Sequence, residues 1–242
     1  MGLGRMSDKH YTEGAYASLH EDWHVGDSEG KARLVEAILA KNALEPKSIC
    51  DLGCGAGEVL RQLHAMVPGA EKLVGYDISP QALALASTRQ SEHIEFREGS
   101  LPDEHFDLAL ALDVVEHVGD YIAFLTGIRD AADHCVINVP LELYAWAVIR
   151  LSPLLTARRV DAHLHYFSRE TFFESLRETG HIVDDWQYHR LPPPNSPHLF
   201  RRAGAAVRSV LFARNPDFAV RLLGGWSLLV LTHPKKAEDS AL

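Results

Sequence analysis

Hydrophobic positions along the chain follow two alternating patterns, one typical of strands and one typical of helices. Short apolar runs predict strands at 48–51, 71–77, 94–98, 105–112, 134–139, 181–190 and 226–232. Between these runs, apolar residues recur every three or four positions and predict helices at 31–41, 58–66, 81–89, 121–130 and 172–179. Strands that alternate with helices are typical of a parallel sheet covered on both faces. The pattern therefore predicts an α/β fold.

Composition and charge exclude several other classes of protein. The chain has 242 residues, of which 46% are hydrophobic, so it can bury a full core. Its net charge of -9 argues against a general electrostatic attraction to nucleic acid, and we expect no nucleic-acid partner. No apolar run approaches the roughly 18 residues of a membrane span, and no apolar signal region begins the chain. We therefore expect a cytoplasmic protein, in which Cys50, Cys54 and Cys135 are reduced core thiols.

A glycine-rich loop follows the first predicted strand and indicates a cofactor. Asp51 ends the strand, and Gly53, Gly55 and Gly57 follow at alternate positions. Glycines allow a tight turn and let a ligand approach main-chain N–H groups at a helix N-terminus. A carboxylate here would repel the pyrophosphate of NAD or FAD and attract the amino and sulfonium cations of S-adenosylmethionine. Because the spacing G-x-G-x-G also differs from the dinucleotide fingerprint, the loop favours a methyl-donor site.

These residues resemble the first motif of the class I S-adenosylmethionine-dependent methyltransferases, which is an acidic residue followed by G-x-G-x-G. A second strand then ends in Asp77, and the segment 105–118 is similar to the fourth strand and following helix of the same family. The resemblance covers 49–180. It implies a Rossmann-like three-layer sandwich with a seven-stranded, mainly parallel sheet and an antiparallel last strand. It also implies an enzyme that uses S-adenosyl-L-methionine.

The resemblance assigns cofactor roles to single residues. Asp51 would meet the methionine amino group, Asp77 would hold the ribose hydroxyls, and Ile78 would pack on adenine. Ser100 stands where family members commonly carry an aspartate for the adenine amino group, so Ser100, the main chain or Asp103 would substitute. The full cofactor-binding set comprises Asp51, Gly53, Cys54, Gly55, Gly57, Asp77, Ile78, Ser100, Leu101 and Asp113.

The motif Asp113-x-x-Glu116-His117 is the candidate for chemistry. A helix that begins at Asp113 would place the three side chains on one face. The motif resembles the metal-binding helix of ubiquinone-biosynthesis O-methyltransferases. It is more distantly similar to that of small-RNA 3′-terminal 2′-O-methyltransferases, in which a further histidine before an aromatic residue completes the site. Here His163 and His165 stand in that region, before Tyr166.

Three alternatives remain open for this motif. Asp113, Glu116, His117 and His165 could hold magnesium, manganese or zinc. A histidine could instead act alone as a base, with His117, His163 and His165 as the candidates. The motif could also be purely structural. We expect the histidine base and no divalent metal.

The chemistry of methyl transfer narrows the acceptor. The sulfonium is already a good leaving group, so in-line positioning supplies most of the catalysis. A hydroxyl acceptor additionally needs a base near neutral pH. We therefore expect O-methylation of a small-molecule hydroxyl, on a secondary metabolite or a sugar. The alternatives are a metal-dependent RNA 2′-O-methyltransferase, a non-catalytic S-adenosylmethionine-binding module, and a peripheral membrane enzyme anchored through Trp146.

The domain organisation follows from the same comparison. We expect residues 27–242 to form one methyltransferase domain and 1–26 to form an N-terminal lid or a loose arm. Two segments, 141–161 and 191–223, are insertions relative to the minimal fold. In this family such insertions usually form the acceptor pocket and its lid, although an ordinary packed helix pair is the alternative. The oligomeric state stays open.

Overall fold

A computed structural model of the chain describes residues 25–190 and 208–235. The strands are β1 (Ser48–Leu52), β2 (Lys72–Asp77), β3 (Ile94–Glu98), β4 (Phe106–Leu112), β5 (Ala132–Pro140), β6 (His181–His189) and β7 (Ser227–Pro234). The helices are α1 (Val25–Lys41), α2 (Glu58–Met66), α3 (Pro80–Ala86), α4 (Tyr121–Ala131), α5 (Ala145–Arg150), α6 (Ser152–Arg159), α7 (Arg169–Glu178) and α8 (Pro216–Leu223). Residues 208–214 are also helical.

The strands form one seven-stranded sheet in the order β3-β2-β1-β4-β5-β7-β6. Neighbouring strands from β3 to β5 are parallel. β7 lies between β5 and β6 and is antiparallel to both. This arrangement confirms the predicted mainly parallel sheet with an antiparallel last strand.

Apolar residues on the two faces of the sheet form two separate cores. Along β4, Leu108 and Leu110 pack with α1 and α2, whereas Ala109 and Ala111 pack with α4, α7 and α8. Successive side chains of a strand point to opposite faces of the sheet, so a continuous apolar strand buries side chains on both faces. The result is the expected three-layer sandwich. The cysteines are free and buried in these layers, as predicted.

The site lies where the strand order reverses. β1 pairs with β2 on one side and with β4 on the other. Ligands of open α/β sheets bind at the carboxyl ends of the strands at such a switch point. Asp51, Asp77 and Asp113 stand at or just after the carboxyl ends of these three strands. The fold therefore gathers three acidic residues that are far apart in the sequence.

Several predicted boundaries need correction. α1 begins at Val25 rather than at residue 31, and the predicted helix 81–89 is α3 followed by a 3₁₀ turn. The predicted helix from Asp113 is wrong: Asp113 has φ of 62°, and only a 3₁₀ turn, Val115–His117, follows. A residue within a helix does not adopt this left-handed conformation.

The predicted insertions and arm are described only in part. Segment 141–161 contains α5 and α6, and the described part of 191–223 is helical. Residues 1–24, which make up most of the predicted lid or arm, and 191–207 lie outside the described residues. Among the described helices, none combines the length and the apolar character that crossing a membrane requires.

Candidate functional site

The glycine loop after β1 is fixed against β2 by main-chain hydrogen bonds. The N–H groups of Gly53 and Cys54 both donate to the carbonyl of Tyr76, at 2.8 and 3.0 Å. Gly53 has φ of 72°, and a Cβ atom there would lie 2.6 Å from a methyl carbon of Val114. Both the conformation and the space therefore require glycine at position 53.

The Asp77 side chain closes the loop from the other side. One carboxylate oxygen accepts from the Gly55 N–H at 2.9 Å, and the other accepts from the Ser79 N–H at 2.8 Å. Burial nevertheless raises the pKa of Asp77, because it outweighs these stabilising bonds. Asp77 therefore fixes the loop as well as lining the cavity beside it.

Asp51 is a buried carboxyl that forms no ion pair within the described part of the chain. Burial raises the pKa of Asp51 to about 7, Lys31 opposes this shift, and the nearby charge of Asp77 adds to it. A carboxylate in this position is stabilised when a cationic group comes close. The ammonium group of a bound amino acid moiety would be such a cation.

A cavity of about 730 Å³ opens beside the loop. This volume lies within the usual range of small-molecule sites. The predicted cofactor residues all line it except Gly57, where an added Cβ would instead meet the Phe96 ring at 2.4 Å. Ser100 and Leu101 are among the lining residues, and Asp103 is not.

Glu116 is the most unusual side chain of the cavity. It is 1% exposed, and neither carboxylate oxygen has a hydrogen-bond partner within the described part of the chain. Burial and the neighbouring Asp113 raise its pKa well above the ordinary value. An unpaired buried carboxyl group is costly, so this position favours a ligand that is absent from the protein alone.

Two histidines stand beside Glu116. One potential ligand atom from each of Glu116, His117 and His163 lies within 4.8 Å of the others. His163 Nδ1 lies 2.8 Å from Glu142 Oε2, and the His117 ring forms a hydrogen bond to the main chain of Ala162. Burial lowers the pKa of His117 to about 3, assisted by His163, so His117 is neutral. A neutral imidazole held by a hydrogen bond to its other ring nitrogen is the form that binds a metal cation.

The group of Glu116, His117 and His163 differs from the predicted metal-binding set, which contained Asp113 and His165 instead of His163. His165 Nε2 bonds the Val118 carbonyl at 2.9 Å, and its ring packs on Tyr121 with centroids 4.7 Å apart. The alternation that would place His163 and His165 on one side requires an extended strand, and 162–168 is not a strand. His163 therefore joins Glu116 and His117, and His165 does not.

Asp113 also lies outside this group. It forms an ion pair with Lys31 at 2.7 Å and accepts a hydrogen bond from Asn138 Nδ2 at 2.6 Å. Asn138 Oδ1 in turn lies 2.6 Å from His189 Nε2. Since the Asn138 amide donates to the carboxylate, its oxygen accepts from His189.

Lys31, Asn138 and His189 are site residues that the sequence analysis missed. Asn138 carried a signal, because it is a lone amide within an apolar strand and a buried amide needs partners. Lys31 carried none, since a lysine at the start of an amphipathic helix is usually exposed.

Comparisons with known proteins agree with this geometry. The family described as methyltransferase domain matches residues 25–184. A ubiquinone biosynthesis O-methyltransferase of Azorhizobium caulinodans is 38% identical over 85 residues, which are 32% of this chain and 32% of that protein. The match therefore spans about a third of that relative. A trans-aconitate 2-methyltransferase of Mycolicibacterium gilvum is 29% identical over 227 residues, 81% of this chain and 83% of that protein.

A solved structure matches over nearly the whole chain. Magnesium protoporphyrin IX methyltransferase from Synechocystis, with bound S-adenosylhomocysteine, superposes with a TM-score of 0.60. The identity is 15%, and the match covers 97% of that chain and 95% of this one. The similarity is one of fold. The glycine loop, the acidic strand ends and the family match over 25–184 together show the family. The chain belongs to the methyltransferase-domain family and is a class I S-adenosylmethionine-dependent methyltransferase.

Proposed function

We propose that this enzyme transfers the methyl group of S-adenosylmethionine to a hydroxyl oxygen of a small-molecule acceptor. The observation that carries the proposal is the buried, unpaired carboxyl group of Glu116 beside His117 and His163. Transfer to a hydroxyl requires loss of its proton, and a cation held by these groups could promote that loss. A site built only to hold the cofactor has no use for them.

The donor set fits a divalent cation, which we include in the proposal. Glu116, His117 and His163 would hold it, and one carboxylate with two imidazoles suits manganese or zinc. A cation bound there would polarise the acceptor oxygen and lower the pKa of its hydroxyl. Glu142 would orient His163 through the bond to Nδ1, and the Ala162 main chain would orient His117.

The acidic lining of the cavity supports a small hydroxyl acceptor over two alternatives. A carboxylate acceptor such as trans-aconitate is ionised at neutral pH and needs no base, so the Glu116 group would be superfluous. Acidic residues line the cavity and the chain as a whole has a net charge of -9, which would also repel a polycarboxylate. An RNA acceptor would meet the same repulsion through its phosphates.

The test is an acceptor and metal screen with tritiated S-adenosylmethionine. The acceptors are small catechols and sugars, trans-aconitate, and a short single-stranded RNA, each offered to enzyme treated with EDTA and then reloaded with manganese, zinc or magnesium. We expect methylation of a hydroxyl acceptor that EDTA abolishes and one cation restores. Transfer only to trans-aconitate or RNA would contradict the small-hydroxyl proposal, and full activity in EDTA would remove the cation from it.

Matched histidine variants separate the proposed group from its surroundings. His163→Asn should lower turnover at least about a hundredfold and abolish cation binding in calorimetry, because one of three ligands is lost. His165→Asn makes the same change two residues away, outside the group of Glu116, His117 and His163, and should retain both turnover and cation binding. Equal loss in the two variants would assign the effect to folding of 162–168.

A further inference from the structure

α5 and α6 reverse the usual division between buried and exposed residues. Each helix buries one alanine, Ala147 or Ala157, and leaves most of its larger apolar side chains exposed. Ile149 is 71% exposed, and Trp146 and Leu155 are each close to half exposed. Single exposed apolar residues are common, but a run of them in two contacting helices indicates a surface that is covered in use.

The corner between the two helices adds a second observation. Leu151 joins α5 to α6 with φ of 59° and is 56% exposed. A leucine rarely adopts the left-handed conformation, and glycine would adopt it without strain. The corner therefore exposes a large apolar side chain to solvent, although burial would stabilise it.

Charge identifies the kind of partner. The stretch 143–160 contains Arg150, Arg158 and Arg159 and neither aspartate nor glutamate, in a chain whose net charge is -9. The Arg150 guanidinium lies 5.9 Å from the centre of the Trp146 ring. Exposed tryptophan and aliphatic side chains flanked by arginines match the boundary between headgroups and acyl chains of an anionic bilayer.

We propose that α5 and α6 dock the enzyme on the surface of an anionic lipid bilayer. The α5–α6 face, defined as Trp146, Ile149, Leu151 and Leu155 with Arg150, Arg158 and Arg159, enters the headgroup layer. The apolar side chains supply the burial, and the arginines supply attraction to lipid phosphates. The net charge of -9 means that the chain as a whole supplies no such attraction.

Docking there would set the position of the active site relative to the membrane. The segment that contains α5 and α6 lies between Pro140, at the end of β5, and Asp161, and both of these residues line the cavity. The α5–α6 face therefore stands at the rim of the cavity rather than on the far side of the domain. This inference holds whatever acceptor the enzyme uses, because it depends on the surface alone.

The experiment measures sedimentation of the full chain with vesicles. One set contains phosphatidylcholine alone, and the other also contains phosphatidylglycerol. We expect binding to the second set and weak binding to the first. Ile149→Ser should lower the partition coefficient about tenfold because it removes apolar burial. Arg158→Ser with Arg159→Ser should have a similar effect, since each lost arginine weakens attraction to the anionic surface.

Two controls keep the test specific. Ile122→Ser changes an exposed isoleucine of α4, and Arg33→Ser changes an exposed arginine of α1, both outside the α5–α6 face. Both should bind vesicles as the unchanged protein does, and circular dichroism should show all variants folded. Absence of binding to anionic vesicles, or equal binding by Ile149→Ser, would overturn the proposal. A dimer in sedimentation velocity that Ile149→Ser dissociates, without vesicle binding, would also overturn it and assign the face to a second copy.

Discussion

The Lys31 ammonium group lies 2.7 Å from a carboxylate oxygen of Asp113, which ties α1 to the end of β4 across the mouth of the cofactor cavity. Burial alone would raise the pKa of Asp113, but Lys31 together with His189 and Asn138 outweighs it, and the net shift is downward. Burial likewise lowers the pKa of Lys31, and Asp113 together with Glu116 and Asp51 more than reverses this shift. Both groups are therefore ionised at neutral pH, and each depends on the other.

Lys31→Ala should lower the free energy of unfolding by about 1–3 kcal/mol at neutral pH, because it leaves Asp113 charged without its cation. This range is below that of a fully buried pair, since the two side chains are 17% and 30% exposed. The folded pKa of Asp113 is depressed, so the contribution exists above about pH 4 and disappears as the pH falls through the folded pKa. Urea denaturation at several pH values measures both effects.

The control for this change lies on the same helix. Lys41 pairs with Asp185 at 2.7 Å, but its side chain is 66% exposed. Lys41→Ala should therefore cost at most about 1 kcal/mol. Equal losses from the two substitutions would show that the Lys31 pair has no special role.

Gly53→Ala should destabilise the enzyme by about 1–3 kcal/mol, because alanine is strained at a φ of 72° and its Cβ would meet Val114 at 2.6 Å. Gly69→Ala is the matched control, since a Cβ there has no atom within 4 Å. Adding Val114→Ala to Gly53→Ala relieves the contact and leaves the backbone strain. A double variant as unstable as the single one would place the whole cost in the backbone. Thermal denaturation compares the three.

Asp51 should make the ligand-free enzyme lose stability as the pH rises from about 4 to about 7. Its folded pKa is raised to about 7, and its unfolded pKa is near 3.9, so the unfolded state releases the proton first. The free energy of unfolding should fall by up to about 1.4 kcal/mol per pH unit across that window. Asp51→Asn has no proton to lose and should lack this decline. Parallel pH profiles for the two proteins would show that Asp51 ionises normally.

Asp77→Ala should weaken binding of S-adenosylhomocysteine by about 1.5–3 kcal/mol, through lost hydrogen bonds to the ribose and a loosened loop. Asp77→Asn retains one acceptor oxygen for the Gly55 or Ser79 N–H and should lose less. Titration calorimetry gives both dissociation constants. An unchanged constant for Asp77→Ala would remove Asp77 from the cofactor site.

The glycine loop and the acidic strand ends could be predicted from the sequence, because their geometry depends on short local segments. Asp51 and the glycines after it lie within one strand-to-helix turn, and the carboxyl ends of parallel strands meet at one edge. The choice between His163 and His165 was not predictable. It depends on the irregular backbone of 162–168, which places His163 beside His117 and His165 beside the Val118 carbonyl. Local patterns report periodicity, whereas this choice is made by tertiary packing.

The place of β7 in the sheet has a consequence for how the chain folds. β6 pairs with β7 and β7 with β5, so β6 reaches the sheet only through a strand that follows it in the chain. During synthesis, β1 to β5 can pair as they emerge, while β6 waits for residues up to Pro234. His189, at the end of β6, joins the Asn138 network only after that long-range closure. The cofactor edge is therefore assembled early, and the Asp113 side of the cavity is completed last.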